Sequence, residues 1–203
     1  MVEALGAEEA LAEDFREAGV ALAEAVQAGD GERGTIMEKK EDWHIRAKKG
    51  LFAHKLDKIL SDREKEQIVQ AIKNAESKSS GEIRVHIEYL CQTEPLKRAK
   101  EVFEKLGMAH TEEKNGVLVY IAVNDRKLAV IGDSGINNRV SPEFWHQVKE
   151  QIKEELARGQ FCRGICLGIE LIGEKLNELF PRRPGDIDEL SDEPSIGDEG
   201  QNK

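Results

Sequence analysis

The chain has 203 residues, of which 39% are hydrophobic, 34% charged and 5% aromatic, a composition that fits one ordinary domain with tails. Its 40 acidic and 30 basic side chains give a formal net charge of −10 at pH 7. This charge argues against a general nucleic-acid-binding protein, which needs a basic face to displace counterions from phosphates, and it is compatible with cation binding.

We expect neither a targeting signal nor a disulfide framework in this chain. No apolar run approaches the roughly 20 residues that span a bilayer. The acidic N-terminus lacks the basic start and continuous apolar stretch of a secretory signal. The three cysteines are an odd number, which fits reduced thiols better than a disulfide framework. We therefore expect a cytoplasmic protein with no membrane span.

The N-terminal part changes composition abruptly. Residues 1–36 are rich in Ala, Glu and Gly and contain no Lys, whereas Lys becomes frequent after Met37. Two interpretations stay open: an extension upstream of a native start at Met37, or an amphipathic helix. Residues 37–58 are basic with scattered apolar side chains, and they are predicted to be an arm packed on the domain.

The first helix and strand are predicted from local patterns. Ser61 followed by Glu64 forms a capping box, which predicts a helix that ends at "SKSSG". Residues 82–90 then alternate apolar and polar side chains, which indicates a strand with one covered face. His86 lies on the polar side of this pattern and is expected at the surface or sheet edge.

The middle of the domain is predicted as a helix followed by a hairpin. Residues 95–108 form an amphipathic helix that starts with Pro95. Residues 116–123 are apolar on both faces, which is typical of a central strand. Asn124 and Asp125 form a tight-turn pair, so residues 126–131 should return antiparallel.

Two helices and a tail complete the order. One helix begins after Ser141 with Pro142 at its first position, and a second apolar helix runs from about residue 164 to 180. The last segment, residues 181–203, is acidic and marked by Pro, Gly and Ser, so it is predicted to be disordered.

The order of elements predicts the fold class. The crossover between the first two strands contains a helix, which favours parallel pairing, and the third strand is antiparallel by its hairpin. The result is an α/β domain over residues 59–180: a three-layer α/β/α sandwich with a small mixed, mostly parallel sheet of three or four strands.

Three segments in this order resemble the TPM-domain family: "SSGEIRVHIE", "NGVLVYIAVNDRKLAVIGDSGIN" and "FCRGICLGIELIGEKL". The family includes a thylakoid-lumen protein of photosystem II repair and many short bacterial proteins. The resemblance implies an α/β/α sandwich with a mostly parallel sheet. It also implies calcium binding, reported for some members, or acid phosphatase activity, reported for a plant member. Asn137 stands where the family often has a carboxylate.

The loop "AVIGDSGINNRV", residues 129–140, is the main candidate site. It matches neither a dinucleotide fingerprint, a P-loop nor an EF-hand. Its side chains offer oxygen atoms of the kind that Ca²⁺ prefers, but a simple glycine turn is the leading alternative, and a substrate cleft is a third. The candidate metal ligands are Glu82 and Asp133, expected at one sheet edge, together with Asn137, Asp62 and Asp125.

Three functions follow for this domain. The first is a non-enzymatic domain that binds a divalent cation, Ca²⁺, or a protein partner through loops at one edge of the sheet. The second is a metal-assisted acid phosphatase, a phosphomonoester hydrolase in which the bound ion would activate water. The third is a structural adaptor without a metal site. The sequence names no catalytic residue and no cofactor beyond Ca²⁺.

Overall fold

The computed structural model describes residues 60–186 and 189–197, and it shows an α/β/α sandwich. The elements run in the order α1 (Asp62–Glu76), β1 (Ile83–Glu88), α2 (Pro95–Lys105), β2 (Val117–Ala122), β3 (Lys127–Gly132), α3 (Ser134–Asn137), α4 (Pro142–Ala157), α5 (Phe161–Leu179) and β4 (Ser195–Gly197). A 3₁₀ turn, Met108–His110, follows α2. The proposed N-terminal extension and basic arm lie outside the described residues.

The described strands form one mixed sheet in the order β3-β2-β1-β4. β1 pairs in parallel with β2 and with β4, and β2 pairs antiparallel with β3. The predicted parallel crossover and the predicted hairpin are both confirmed. The register aligns Ile83 with Val117 and Val117 with Gly132, so both parallel strands begin where β3 ends.

The main core lies between one face of the sheet and helices α1, α4 and α5. The capping box at the start of α1 is present, since Ser61 and Glu64 bond each other's backbone amides. α4 presents Val148, Ile152 and Leu156 to this core. α5 starts at Phe161 rather than near residue 164.

The opposite face of the sheet packs against α2 and carries a second, smaller core. The predicted one-sided burial of β1 is wrong, because all six of its residues are buried. His86 is 7% exposed and Glu88 is 2% exposed, so neither lies at the surface. Glu88 bonds Arg98 of α2, and His86 lies beside Ser195 and Tyr120, so these polar residues of β1 face other parts of the protein instead of water.

A hydrogen-bonded network explains how Glu88 can be buried there. Arg98 of α2 donates through Nε to both carboxylate oxygens at 3.0 and 3.1 Å, and Tyr120 donates to Oε2 at 2.8 Å. His86 Nε2 lies 3.1 Å from Oε1. Burial alone would raise the pKa of Glu88, but bonds from His86, Arg98 and Tyr120 and the Arg98 charge lower that pKa to about 2.

The predicted disorder of residues 181–203 does not extend to β4. Ser195–Gly197 pairs with His86–Glu88 as an edge strand of the sheet. Leu190 packs against the second core, and Glu189 N–H donates to the Glu82 carboxylate at 2.9 Å. Local charge and composition could not reveal these contacts, since they join residues that are far apart in the sequence.

The Glu88 network predicts that Arg98→Ala lowers the free energy of unfolding by about 2 to 3 kcal/mol at pH 7, because it leaves a buried carboxylate without its cation. Urea denaturation followed by circular dichroism measures this loss. Lys100→Ala, an exposed change on the same helix, is the matched control and should cost less than about 0.5 kcal/mol.

The same pair has a defined pH dependence. Because the pKa of Glu88 is lowered to about 2, its stabilising effect is complete above the ordinary value of 4.5 and is lost as pH falls toward 2. The difference between the wild type and Arg98→Ala should therefore shrink on acidification. An equal loss of stability in Arg98→Ala and Lys100→Ala at pH 7 would contradict this account.

Candidate functional site at the sheet edge

The predicted site loop lies at the edge where β1 and β2 begin. Val117 N–H donates to the Glu82 carbonyl at 2.8 Å, and Asp133 N–H donates to the Gly116 carbonyl at 2.8 Å. Glu82 and Asp133 therefore flank Gly116 at one level of the sheet, as expected. They are two strand spacings apart, about 10 Å, so their main chains are not in contact.

The loop itself is a short helix rather than an open turn. Asp133 is the N-cap of α3, where its Oδ1 accepts from Ser134 N–H at 2.6 Å. Asn137 Oδ1 accepts from the indole N–H of Trp145 at 3.0 Å. The side-chain oxygen of Asn137 is thus already used in packing α3 against α4.

Gly135 is required by the close approach of α3 to the turn before β2. Its N–H donates to the Lys114 carbonyl at 2.8 Å. A Cβ atom at this position would collide with the Glu113 carbonyl and lie 2.6 Å from the Lys114 carbonyl. The glycine therefore holds Asp133 beside the turn of residues 111–116, which the sequence did not single out as part of the site.

Three buried side-chain oxygens in this region find no hydrogen-bond partner among the described residues: Thr111 Oγ1, Asn115 Oδ1 and Asp133 Oδ2. Thr111 is 2% exposed and Asn115 is 1% exposed. Asn115 uses its Nδ2 to donate to the Ser80 carbonyl at 3.0 Å, which fixes the amide and leaves Oδ1 as the free atom. We call these three residues the oxygen cluster.

The oxygen cluster is local in the fold. Lys114 N–H donates to the Thr111 carbonyl, so Thr111 and Asn115 belong to one turn. Asp133 is bonded to Gly116, the residue after Asn115. Buried oxygens without donors are uncommon, because each loses its hydration without compensation. Oxygen atoms of a carboxylate, an amide and a hydroxyl suit a hard cation.

A separate acidic cleft lies beside Glu82. It has a volume of about 250 Å³, and Glu76, Glu82, Asp186, Asp192 and Arg182 are among its lining residues. Glu76 Oε1 accepts from Ile83 N–H at 2.7 Å, and Arg182 donates to the Glu76 carbonyl at 2.8 Å. We call this the acidic cleft.

Glu76 is the perturbed group of the acidic cleft. Burial raises the pKa of Glu76 to about 9, opposed by the bond from Ile83 and reinforced by the Asp192 and Glu82 carboxyl groups. Glu76 therefore carries a proton at neutral pH. No local pattern indicates this protonation, because Glu76 has the position of an ordinary polar residue at a helix end.

Two of the predicted ligands lie elsewhere. Asp125 is in the β2–β3 hairpin, at the opposite end of the strands from Asp133. Its Oδ2 accepts from Cys91 N–H at 2.6 Å. Asp62 begins α1, whose other end carries Glu76, and 14 residues of helix separate them by about 20 Å. The structure brings neither residue to the oxygen cluster.

Within residues 60–186 and 189–197, no group of three or more His, Cys, Asp or Glu side chains is arranged to hold a metal ion. The oxygen cluster contains a single carboxylate, with an amide and a hydroxyl, and so differs from such a group. The three cysteines are free, and no helix in the described ranges is long and apolar enough to cross a membrane.

Comparison with known proteins identifies the family of this chain. The model of the TPM domain matches residues 55–175. The chain belongs to the TPM-domain family. That match contains α1 through most of α5, including the whole oxygen cluster, and it ends before the acidic segment and β4.

One solved structure agrees with this assignment, and a second, more distant one was also found. The NMR structure of BA42 from the psychrophilic bacterium Bizionia argentinensis is 42% identical, with a TM-score of 0.65, over 68% of this chain and 95% of that chain. The N-terminal domain of cg2496 from Corynebacterium glutamicum is 13% identical, with a TM-score of 0.48, over 58% of this chain and 74% of that chain. Comparison with curated proteins gave no match.

The acidic cleft predicts an inverse pH dependence for Glu76. Because its folded-state pKa is raised from 4.5 to about 9, its proton favours folding fully below pH 4.5, and this contribution is lost as pH rises toward 9. Glu76→Gln keeps the acceptor for Ile83 N–H and removes the titration. The stability of the wild type should fall relative to this variant between pH 5 and 9, by more than about 1 kcal/mol.

Chemical denaturation at several pH values measures this difference. Glu66→Gln, an exposed change on the same helix, is the control and should follow the wild type at every pH. Parallel stability curves for the wild type and Glu76→Gln would show that Glu76 does not titrate in this range.

Proposed function

We propose that this TPM domain binds a divalent cation, Ca²⁺, at the oxygen cluster of Thr111, Asn115 and Asp133. The observation that carries the proposal is the presence of three buried oxygens without donors on one turn and its neighbouring N-cap. A cation bound by these oxygens would compensate their lost hydration, which hydrogen bonds within the described residues do not do.

The chemistry of the cluster sets the strength of binding. Ca²⁺ takes six to eight oxygen ligands, and its affinity rises with the number of carboxylates. Asp133 is the only carboxylate in the cluster, so main-chain carbonyls of the turn and water would complete the shell. We therefore expect a weak site with a dissociation constant on the order of 1 mM, the range of low-charge extracellular modules.

Two residues of the original ligand set have a different part in this proposal. Glu82 accepts from Glu189 N–H and lies in the acidic cleft, so it contributes a negative potential near the cluster. Asn137 holds Trp145 and would fix α3 during binding. Asp62 and Asp125 are not included.

The acid phosphatase alternative stays a prediction. Among the described residues, the geometry offers nothing that favours phosphate hydrolysis over cation binding alone. Partner binding at this sheet edge likewise stays a prediction, and it would depend on whether cation binding changes the surface around α3.

A Ca²⁺ titration of the full chain followed by amide chemical shifts tests the proposal. We expect saturable shifts centred on residues 111–116 and 133–137. Asp133→Asn keeps an N-cap side chain but removes the charge, so it should weaken binding by about tenfold or more. Asp62→Asn, at the fully exposed start of α1, is the matched control and should leave the titration unchanged.

Two results would overturn the proposal. One is the absence of saturable shifts up to about 10 mM Ca²⁺, beyond the range of known protein sites, which would favour a structural adaptor. The other is binding that persists in Asp133→Asn but is lost in Asp62→Asn, which would place the ion elsewhere.

A further inference from the structure

The outer edge of β1 is covered by a short strand from outside the matched family domain. The TPM match ends at residue 175, whereas β4 is Ser195–Gly197. Within the matched residues, β1 is therefore the last strand on its side of the sheet. An uncovered edge presents a row of unpaired main-chain donors and acceptors that can accept another extended chain.

The contacts of β4 show what this edge selects. Ser195 lies opposite His86, and its hydroxyl is 2.7 Å from His86 Nδ1. Gly197 lies opposite Glu88, and a Cβ atom there would be 2.5 Å from Glu88 Cγ and 2.8 Å from His86 Nε2. The edge thus fits a small hydroxyl residue and, two positions later, a glycine.

The Glu88 network orients the His86 ring, which contacts the Ser195 hydroxyl. The Glu88 carboxylate can only accept, so His86 Nε2 carries the proton that it shares with Oε1. The other ring nitrogen, Nδ1, lies 2.7 Å from Ser195 Oγ, and the Ser195 hydroxyl also donates to the Val85 carbonyl at 3.4 Å. The residues that orient the His86 ring belong to β1, β2 and α2, so all of them lie outside β4.

The strand β4 has only a small contact with the sheet. It pairs with three of the six residues of β1, and its central residue, Ile196, is 44% exposed. The preceding segment carries Glu189, Asp192 and Glu193, and Asp192 lies beside the Glu76 carboxyl in the acidic cleft. A short strand with an exposed apolar residue and an adjoining carboxyl pair is suited to local release.

We propose that the β1 edge is a docking site for an extended peptide of a partner protein that carries a Ser-x-Gly or Thr-x-Gly sequence, added in parallel as a strand. β4 is a built-in competitor that occupies this site within the same chain. The proposal concerns a different surface from the oxygen cluster and stands independently of cation binding.

A synthetic peptide of residues 189–197, with blocked ends and a fluorescent label, is the probe. Full-length Gly197→Val places a Cβ against Glu88 and His86, so its own strand should be displaced. We expect saturable binding of the peptide to this variant, measured by fluorescence anisotropy, with shifts of the His86 ring signals. The wild-type chain should bind about tenfold more weakly or worse, because its site is occupied.

Peptide variants provide the matched controls. A peptide with Gly197→Val should not bind, whereas one with Ile196→Ala should bind nearly as well as the parent, because Ile196 is 44% exposed. Amide hydrogen exchange of the wild-type chain is a second measurement that needs no variant. It should show faster exchange in Ser195–Gly197 than in β2.

Clear results would overturn the proposal. One is that the parent peptide does not bind to the folded Gly197→Val protein. Another is that the parent peptide binds equally to the wild-type protein and to this variant. A third is that the peptide carrying Gly197→Val binds as well as the parent peptide. Exchange of β4 as slow as that of β2 would also contradict it. A wild-type chain that forms strand-exchanged dimers but takes up no peptide would show that the edge serves a second copy instead.

Discussion

The parallel pairing of β1 with β2 is the constraint on which the rest of the structure depends. It places the starts of both strands at one edge, and the hairpin then returns β3 to end at that same edge. This topology places Glu82, Asn115 and Asp133 at the same end of the strands, although 51 positions separate the first from the last. Because β2 pairs with one side of β1, the other side of β1 is the lateral edge with which β4 pairs.

Two buried glutamates show how this fold treats charge. Glu88 is surrounded by donors and a cation, so it stays ionised and its pKa falls to about 2. Glu76 is buried, and it lies beside other carboxyl groups, so it keeps its proton and its pKa rises to about 9. The first fastens α2 to the sheet, and the second makes the contact with the acidic segment sensitive to pH.

Much of the fold could be predicted from sequence because it follows from local signals. The capping box at Ser61, the apolar run of β2 and the hairpin at Asn124 each act over a few residues. The burial of His86 could not be predicted, because alternation shows which residues share a face but not whether that face is covered. The sheet edge of the site was predictable through Glu82 and Asp133. Thr111 and Asn115 were missed because an unpaired oxygen is a property of the folded environment.

The central claim is that a cation compensates the oxygens of Thr111, Asn115 and Asp133. The most direct test is a high-resolution crystal structure of the full chain grown in millimolar Ca²⁺. The account predicts an ion with Asp133 Oδ2 and Asn115 Oδ1 in its shell, at the roughly 2.3–2.6 Å typical of Ca²⁺–oxygen bonds. Ordered water molecules donating to all three oxygens, with no ion present, would contradict it.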